Sequence, residues 1–283
     1  MQEREGSKTY KEYLKVLKEC SPYNFCEYSN NSIDRRITKI MRDNRLNMDE
    51  LIYKTRKDQS FVEYVVESIT VNTTELFRDP LIWEYLLKEV VPKLKGHPQI
   101  NIWHAGCSTG QEVYSFMILL DQLNMLEKSK IYATDISQKA LNCAAKGEYV
   151  YNFNYEKYLT NFEEVFKNHT TNVNFNDYFK VDKAKDLISV KAKLKEKTNF
   201  IKHDLVKEEM PFYNKFDIIF CRNVLIYFNE SLQSRIVQRF HDNLFNKGVM
   251  VLGTHEGLNG FFRTKFARNN YVYSKTDTFH FKY

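Results

Sequence analysis

No stretch of this 283-residue chain is apolar for the eighteen or so consecutive residues that a bilayer-spanning helix needs. No membrane insertion is therefore expected. The opening, MQEREGSKTYKEYLKVLKEC, is charged throughout and lacks the apolar core of a secretory signal. The five cysteines (Cys20, Cys26, Cys107, Cys143 and Cys221) are odd in number and form neither a Cys-x-x-Cys pair nor a metal-ligand spacing. Reduced thiols and no metal site are the expectation, and a cytoplasmic protein is the economical reading. Internal repeats and low-complexity segments are also missing. Glycine is absent from the whole interval between Gly147 and Gly248.

What is present is enough for a sizeable core. Hydrophobic residues make up 43% and aromatics 15% of the chain, which argues against disorder. The length suits one large α/β domain with a small companion. A net charge of +6 favours an acidic partner without identifying one, and a lysine-rich solvated surface explains it equally well. Nothing in that mild charge demands nucleic acid.

Up to about residue 68 the text reads as helices: Thr9 to Cys20, Asn31 to Asn44, Asn47 to Lys57 and Gln59 to Glu67. In the second, Ile33, Ile37, Ile40 and Met41 fall at helical spacing and leave a basic outer face. From Gln99 onward strands alternate with helices. The strands are Gln99–Ala105, Lys130–Thr134, Thr198–Lys202, Phe216–Cys221 and Gly248–Gly253. The helices are Gln111–Leu120, Gln138–Lys146 and Leu232–Asn243. Tyr271–Tyr273 and Thr278–Phe281 read as a closing hairpin. The alternation predicts a doubly wound, mostly parallel sheet covered on both faces. Residues 149–197 interrupt it with an aromatic helix (Tyr155 to Phe166) and two short strands, Tyr178–Val181 and Leu187–Val190. An inserted helix with a small β-subdomain is expected. The division is thus a helical domain, 1–68, and an α/β domain, 69–283.

Chemistry-bearing residues cluster at strand ends. Trp103-His-Ala-Gly-Cys-Ser-Thr-Gly-Gln-Glu112 lies between a strand and a helix, where open α/β sheets bind ligands. It is neither Gly-x-Gly-x-x-Gly nor a P-loop, so phosphate or dinucleotide binding is poorly supported. Gly106 and Gly110 can relieve crowding where the backbone turns toward a ligand. Cys107 reads as a small neutral filler. Asp135, ending the next strand, can accept from both hydroxyls of a ribose, or can cap the helix that follows. Asp204 can accept from an adenine amino group while Leu205 packs on the ring, or can simply form a turn. Three such strand ends without a pyrophosphate cradle fit S-adenosylmethionine. His104, His203 and His255 are dispersed and read as structural. Asn72 followed by Glu75 reads as the capping box of a helix over Thr-Thr-Glu-Leu-Phe-Arg, with Arg78 one turn beyond Thr74.

Four strings resemble one family: Asn72-Thr-Thr-Glu-Leu-Phe-Arg78, Gly106-Cys-Ser-Thr-Gly-Gln-Glu112, Ala133-Thr-Asp135 and Phe220-Cys-Arg-Asn-Val-Leu-Ile-Tyr-Phe228. Together they are similar to the CheR proteins, the protein-glutamate O-methyltransferases of bacterial chemotaxis, and they run in order over most of the chain. The resemblance implies a methyltransferase-type sheet. It also implies a cofactor site formed by Asn72, Thr74, Arg78, Gly106, Glu112, Asp135, Asp204, Leu205, Arg222 and Asn223. Arg78 and Tyr227 match the family residues nearest the methyl-transfer centre. S-adenosylhomocysteine would be the product. Where family members often have Asn-Leu, this chain has Asp204-Leu205, and an ionised Asp can still accept from an adenine amino group.

The implied partner is the acidic helical cytoplasmic domain of a chemotaxis-type receptor, read electrostatically by Arg35, Arg36, Lys39, Arg42 and Arg45. Members that dock on a receptor's C-terminal pentapeptide carry a glycine-containing loop in the β-subdomain. None exists here, so pentapeptide-independent recognition by a monomer is expected. The rival readings are the same cofactor domain with another acceptor, and a cofactor-binding sensor that transfers nothing.

Overall fold

The computed structural model describes residues 5–70, 73–168, 173–206 and 210–276. The chain divides into two compact units. The first is Met1–Val71 with Asp204–Glu208 and Val224–Gln238; the second is Asn72–His203 with Glu209–Asn223 and Arg239–Tyr283.

Among the described residues, the N-terminal part of the first unit forms α1 (Glu5–Cys20), α2 (Asn30–Asn44), α3 (Met48–Lys57) and α4 (Gln59–Ile69). Local chemistry sets their ends. Asn47 and Glu50 form a reciprocal capping box on α3, with bonds of 2.9 and 2.8 Å. Asp58 caps α4 through the Phe61 amide at 3.1 Å. Inward faces carry Tyr13, Leu17, Ile37, Leu51 and Val65, all at most 0% exposed. This small core also receives the segment after residue 223. Tyr28 bridges to Phe228, with rings 5.0 Å apart at 86°. The Ser29 amide donates to the Tyr227 carbonyl at 2.8 Å, and Arg235 binds both oxygens of Glu27 at 2.8 Å.

The second unit begins with a short helix, α5 (Pro80–Tyr85), continued by a π-turn and a 3-10 turn to Leu94. Then follow β1 (Ile100–Ala105), α6 (Gln111–Gln122), β2 (Ser129–Asp135), α7 (Gln138–Lys146), β3 (Glu148–Val150), α8 (Tyr151–Phe166), α9 (Phe175–Tyr178), β4 (Phe179–Asp182), β5 (Leu187–Val190), α10 (Ala192–Lys195), β6 (Thr198–Lys202) and β7 (Phe216–Cys221). Helix α11 (Glu230–Asn243) leads to β8 (Leu244–Leu252), β9 (Phe266–Asn269) and β10 (Val272–Lys275). The seven-stranded sheet has the order β6-β2-β1-β7-β8-β10-β9. Its β6, β2, β1, β7 and β8 pairings are parallel; β10 is antiparallel to both β8 and β9. This is a doubly wound, mostly parallel sheet closed by an antiparallel hairpin. The direction of winding reverses between β1 and β7, which puts the ligand crevice beyond their carboxyl ends.

The closing antiparallel strands include one, Phe266–Asn269, that the sequence reading does not anticipate. Val272–Lys275 pairs with Phe266–Asn269, and Asn270 makes the turn with φ 52°. Asparagine tolerates this left-handed conformation, so the Arg-Asn-Asn run was the turn signal. The Thr278–Phe281 run lies outside the described residues. The insertion does form a separate antiparallel sheet, β3-β5-β4. It is fastened to the end of α6 by Tyr178, whose hydroxyl donates to Asp121 at 2.7 Å and accepts from Gln122 at 2.6 Å.

Candidate functional site

At the end of β1 the chain turns through Gly106 (φ 82°) and Gly110 (φ 90°) into α6. The amides of Gly106 and Cys107 both donate to the Thr134 carbonyl, at 2.8 and 2.9 Å, tying the loop to the end of β2. Asp135 continues that tie. Its two oxygens accept from the Ser108 and Ser137 amides at 2.8 and 2.9 Å. Burial pushes its carboxyl above the usual range, and the Ser137, Ser108 and Ile136 amides oppose the shift. Gly110 answers a packing need besides its dihedral, since a Cβ there would lie 2.8 Å from that of Ala144 on α7. The Cys107 thiol is pushed far up by burial and then by Asp135 and Glu112, which keeps it neutral.

Glu112, in the first turn of α6, sits between two cationic or potentially cationic groups. One oxygen lies 2.9 Å from His104 Nδ1 and the other 3.5 Å from Arg222 Nη1. His104 is fully buried and stacked on Phe220 with ring centroids 4.4 Å apart. Arg222 is the hub of this end of the unit. Its Nη2 donates to the Arg78 carbonyl at 2.7 Å and to Asp79 at 2.8 Å, and its guanidinium lies 5.3 Å from the Trp83 ring. Glu256 does similar work across β7 and β8. One of its oxygens accepts from the Asn223 and Gly253 amides, both at 2.7 Å. A Cβ on Gly253 would meet the Asn223 amide group at 2.7 Å, so glycine is required there.

The Thr74–Asp79 segment departs from expectation. No helix runs through it; the helix begins at Pro80. Phe77 and Asp79 take φ 49° and 59°, and the residue before a proline disfavours the α region in any case. Tertiary bonds replace helical ones. Phe77 N donates to Ser115 Oγ at 2.8 Å, Asn161 Nδ2 donates to the Leu76 carbonyl at 2.9 Å, and Trp83 Nε1 donates to the Arg78 carbonyl at 2.8 Å. Thr74 and Arg78 are half-buried. The Arg78 guanidinium makes no hydrogen bond or ion pair with another described residue. Asn72 lies outside the described residues.

Thus Arg78, Glu112 and Arg222 are linked directly, Gly106 and Asp135 share the loop beside them, and Asn223 is held by Glu256. Asp204 and Leu205 are buried in the first unit, where Asp204 accepts from the Val206 amide at 2.9 Å as a turn former. Tyr227 is half-buried there, in a 3-10 turn over Leu225–Tyr227. On α2, Arg35, Lys39 and Arg42 are exposed and Arg36 half-buried, and exposed Arg45 ends the helix at φ 56°. Arg42 has Asp43 as a neighbour at 3.3 Å.

Sequence reasoning gave no role to Glu256, Ser115, Asn161 or Asp79. Only Glu256 had a signal: the likeness to the family extends along the chain to Gly253-Thr-His-Glu256. The acidic strand ends and a buried Ser108 hydroxyl without a partner among the described residues suit a hydroxyl- and ammonium-bearing cationic cofactor. A basic phosphate cradle is not what they form. Among the described residues no cluster of His, Cys, Asp and Glu is arranged to hold a metal ion.

Residues 72–271 match the family model described as CheR methyltransferase, SAM binding domain. A Pseudomonas putida protein named as the methyltransferase Cher3 is 34% identical over 237 residues, covering 83% of this chain and 84% of its own. The chemotaxis protein methyltransferase of Borreliella burgdorferi is 30% identical over 260 residues, with 87% of each chain covered. That of Listeria monocytogenes is 28% identical over 274 residues, covering 95% of this chain and 98% of its own.

Proposed function

The chain belongs to the CheR methyltransferase family and is an S-adenosylmethionine-dependent methyltransferase, and from that premise we propose that it esterifies glutamate side chains on a chemotaxis-type receptor. The observation that carries the assignment is Arg78. Its main chain is held by Trp83 and Arg222 while its guanidinium has no partner among the described residues, as suits a fork for an incoming carboxylate. Bound S-adenosylmethionine supplies a methyl on a sulfonium: the C–S bond breaks as the C–O bond forms, leaving a thioether and an ester. No base is needed, because a glutamate with a pKa of about 4.3 is already ionised at neutral pH. The protein's work is orientation and exclusion of water. Asp135, Glu112 and the Gly106 loop hold the cofactor, with Asn72, Thr74, Asp204, Leu205, Arg222 and Asn223 completing the site. Arg78 and Tyr227 orient the acceptor.

The helical segment up to residue 68 is the recognition domain, and residues 69–283 the transfer domain. The α2 residues Arg35, Arg36, Lys39, Arg42 and Arg45 meet the acidic receptor helices. No pentapeptide tether is used. In support, the β4–β5 turn contains no glycine, and Asp186 there, at φ 52°, accepts from the Asn152 amide at 2.7 Å. Among the described residues no helix is long and apolar enough to cross a membrane.

The test is transfer from methyl-labelled S-adenosylmethionine to receptor cytoplasmic fragments, read as base-labile label. Label that vanishes in Arg78→Ala and weakens with salt or with Arg35→Glu/Arg42→Glu is the expected result. Cofactor binding without base-labile label on any receptor fragment would refute the acceptor. A micromolar calorimetric signal with a receptor tail peptide would refute the absence of a tether.

A further inference from the structure

Phe77 is fully buried, carries a side chain, and nevertheless sits at φ 49°. Asp79, two residues on, does the same at φ 59°. Each such residue is strained and persists only where its surroundings over-determine it. Side chains from other elements hold the main chain around Phe77. Ser115 on α6 accepts from Phe77 N at 2.8 Å, and Asn161 on α8 donates to Leu76 O at 2.9 Å. The Phe77 ring is enclosed edge-on by Trp83 at 5.6 Å, Phe162 at 5.7 Å and Phe166 at 5.6 Å.

Three of these contacts come from α8, the helix of the insertion. Asn161 is out of character there. It is 4% exposed and lies on the same face as Tyr158, Phe162, Val165 and Phe166, where an apolar residue would pack without a polar group to satisfy. Its amide is therefore held for the Leu76 carbonyl. The insertion also braces the cofactor loop. Tyr149 of β3 donates to the Thr109 carbonyl at 2.9 Å, and Gln111 donates to the Tyr158 hydroxyl at 2.8 Å.

We propose that Asn161 is a positioning residue for methyl transfer: by fixing the Leu76 carbonyl it keeps Phe77 left-handed and so sets where the next residue, Arg78, presents its guanidinium. The inserted helix is in this sense part of the transfer machinery. The inference rests on the reading of Arg78 as a residue of the transfer centre.

The experiment compares Asn161→Leu, Arg78→Ala and the double variant in the full chain, with S-adenosylmethionine and receptor fragment. Thermal midpoint, S-adenosylhomocysteine affinity by calorimetry, kcat and KM are measured for each. Asn161→Leu is expected to lower kcat by about 10- to 100-fold, the scale of an ångström-sized misplacement, with S-adenosylhomocysteine affinity kept within about threefold. The double variant should lose little beyond Arg78→Ala alone, because both changes remove one function. If Asn161→Leu does not fold, Ser115→Ala removes the acceptor of Phe77 N and is held to the same criteria. Wild-type kcat in Asn161→Leu alongside an impaired Arg78→Ala would overturn the positioning role alone. Losses that simply multiply in the double variant would overturn it too. Wild-type activity in Arg78→Ala would bring down the reading of Arg78, and the inference with it.

Discussion

At the C-terminal ends of β1, β2, β7 and β8 buried charges hold loops; at the N-terminal ends of the same sheet they hold the starts of strands. The first end has Glu112, Asp135, Arg222 and Glu256, each at most 9% exposed and each bonded to main chain or to another charge. The second has Asp217, 3% exposed, which accepts from Asn101 N at 2.8 Å and pairs with His97 at 2.9 Å. It faces an open cleft bordered by His97, Asn101, Lys215 and Phe245, at the wrong end of the sheet for the cofactor. Buried charge alone therefore does not mark a functional site. Strain separates the two ends better. Left-handed residues at the N-terminal end, Asn124 in a turn and Lys247 within β8, are exposed, whereas Phe77 and Ser108 at the other end are buried. The buried left-handed residues are pinned by buried polar groups, Ser108 by Asp135 and Phe77 by Ser115.

The largest break in this comparison comes from Arg222→Met. Removing the guanidinium leaves Glu112 and Asp79 without that cation and takes away one of the two donors to the Arg78 carbonyl, the other being Trp83 Nε1. Uncompensated buried charge costs about 3–5 kcal/mol, so the denaturant midpoint should fall sharply and methyl transfer should vanish. Arg222→Lys keeps the charge but not the planar fork, and is expected to recover folding without recovering full activity. A loss of under about 1 kcal/mol in Arg222→Met would mean that the charges do not depend on one another.

A smaller effect, and one confined to stability, is expected from Asp217→Ala. The Asn101 amide and His97 lose their acceptor, at a cost of about 1–3 kcal/mol. S-adenosylhomocysteine affinity and kcat should stay within about twofold, since neither the loops nor the left-handed residues depend on it. Calorimetry beside chemical denaturation separates the two. Weakened cofactor binding would erase the functional distinction between the ends of the sheet.

The same contrast explains what the sequence made legible. Helix Gln138–Lys146 and strands Thr198–Lys202 and Phe216–Cys221 match their expected bounds because periodicity and local caps, such as Ser137 accepting from Ala140 N, decide them. Asp135 and Glu112 stand at a strand end and a helix start, as their positions in the text suggested. The Thr-Thr-Glu-Leu-Phe-Arg turn was misread as a helix because its Asn-x-x-Glu spacing imitates a capping box, whereas bonds from far along the chain decide its shape. Asn161 acts on it across 85 residues, Ser115 across 38, and Glu256 reaches Asn223 across 33. No local pattern records such pairings. The insertion was visible as a break in alternation, but the Asn161 bond to the Leu76 carbonyl was not.

The finest test of the comparison concerns Lys275, at the N-terminal end of the sheet. The residue is 9% exposed, and its ammonium donates to the His241 and Leu244 carbonyls at 2.7 and 3.1 Å, closing the end of α11. Burial first, then the nearby Lys215, lowers its pKa below the ordinary 10.5, with Asp242 opposing. In the window between that lowered value and 10.5 the unfolded chain holds a proton that the folded chain has shed. Stability must therefore rise with pH across the window; below it the lysine is charged in both states and adds no slope. Lys275→Met removes the titrating group. Denaturant midpoints of both proteins, taken in steps through the alkaline range, should diverge in favour of the wild type as pH rises. A constant difference would mean that the two carbonyls hold the ammonium at its ordinary value. In that case the N-terminal end of the sheet would carry its buried lysine without electrostatic cost, and costly buried charge would belong to the C-terminal end.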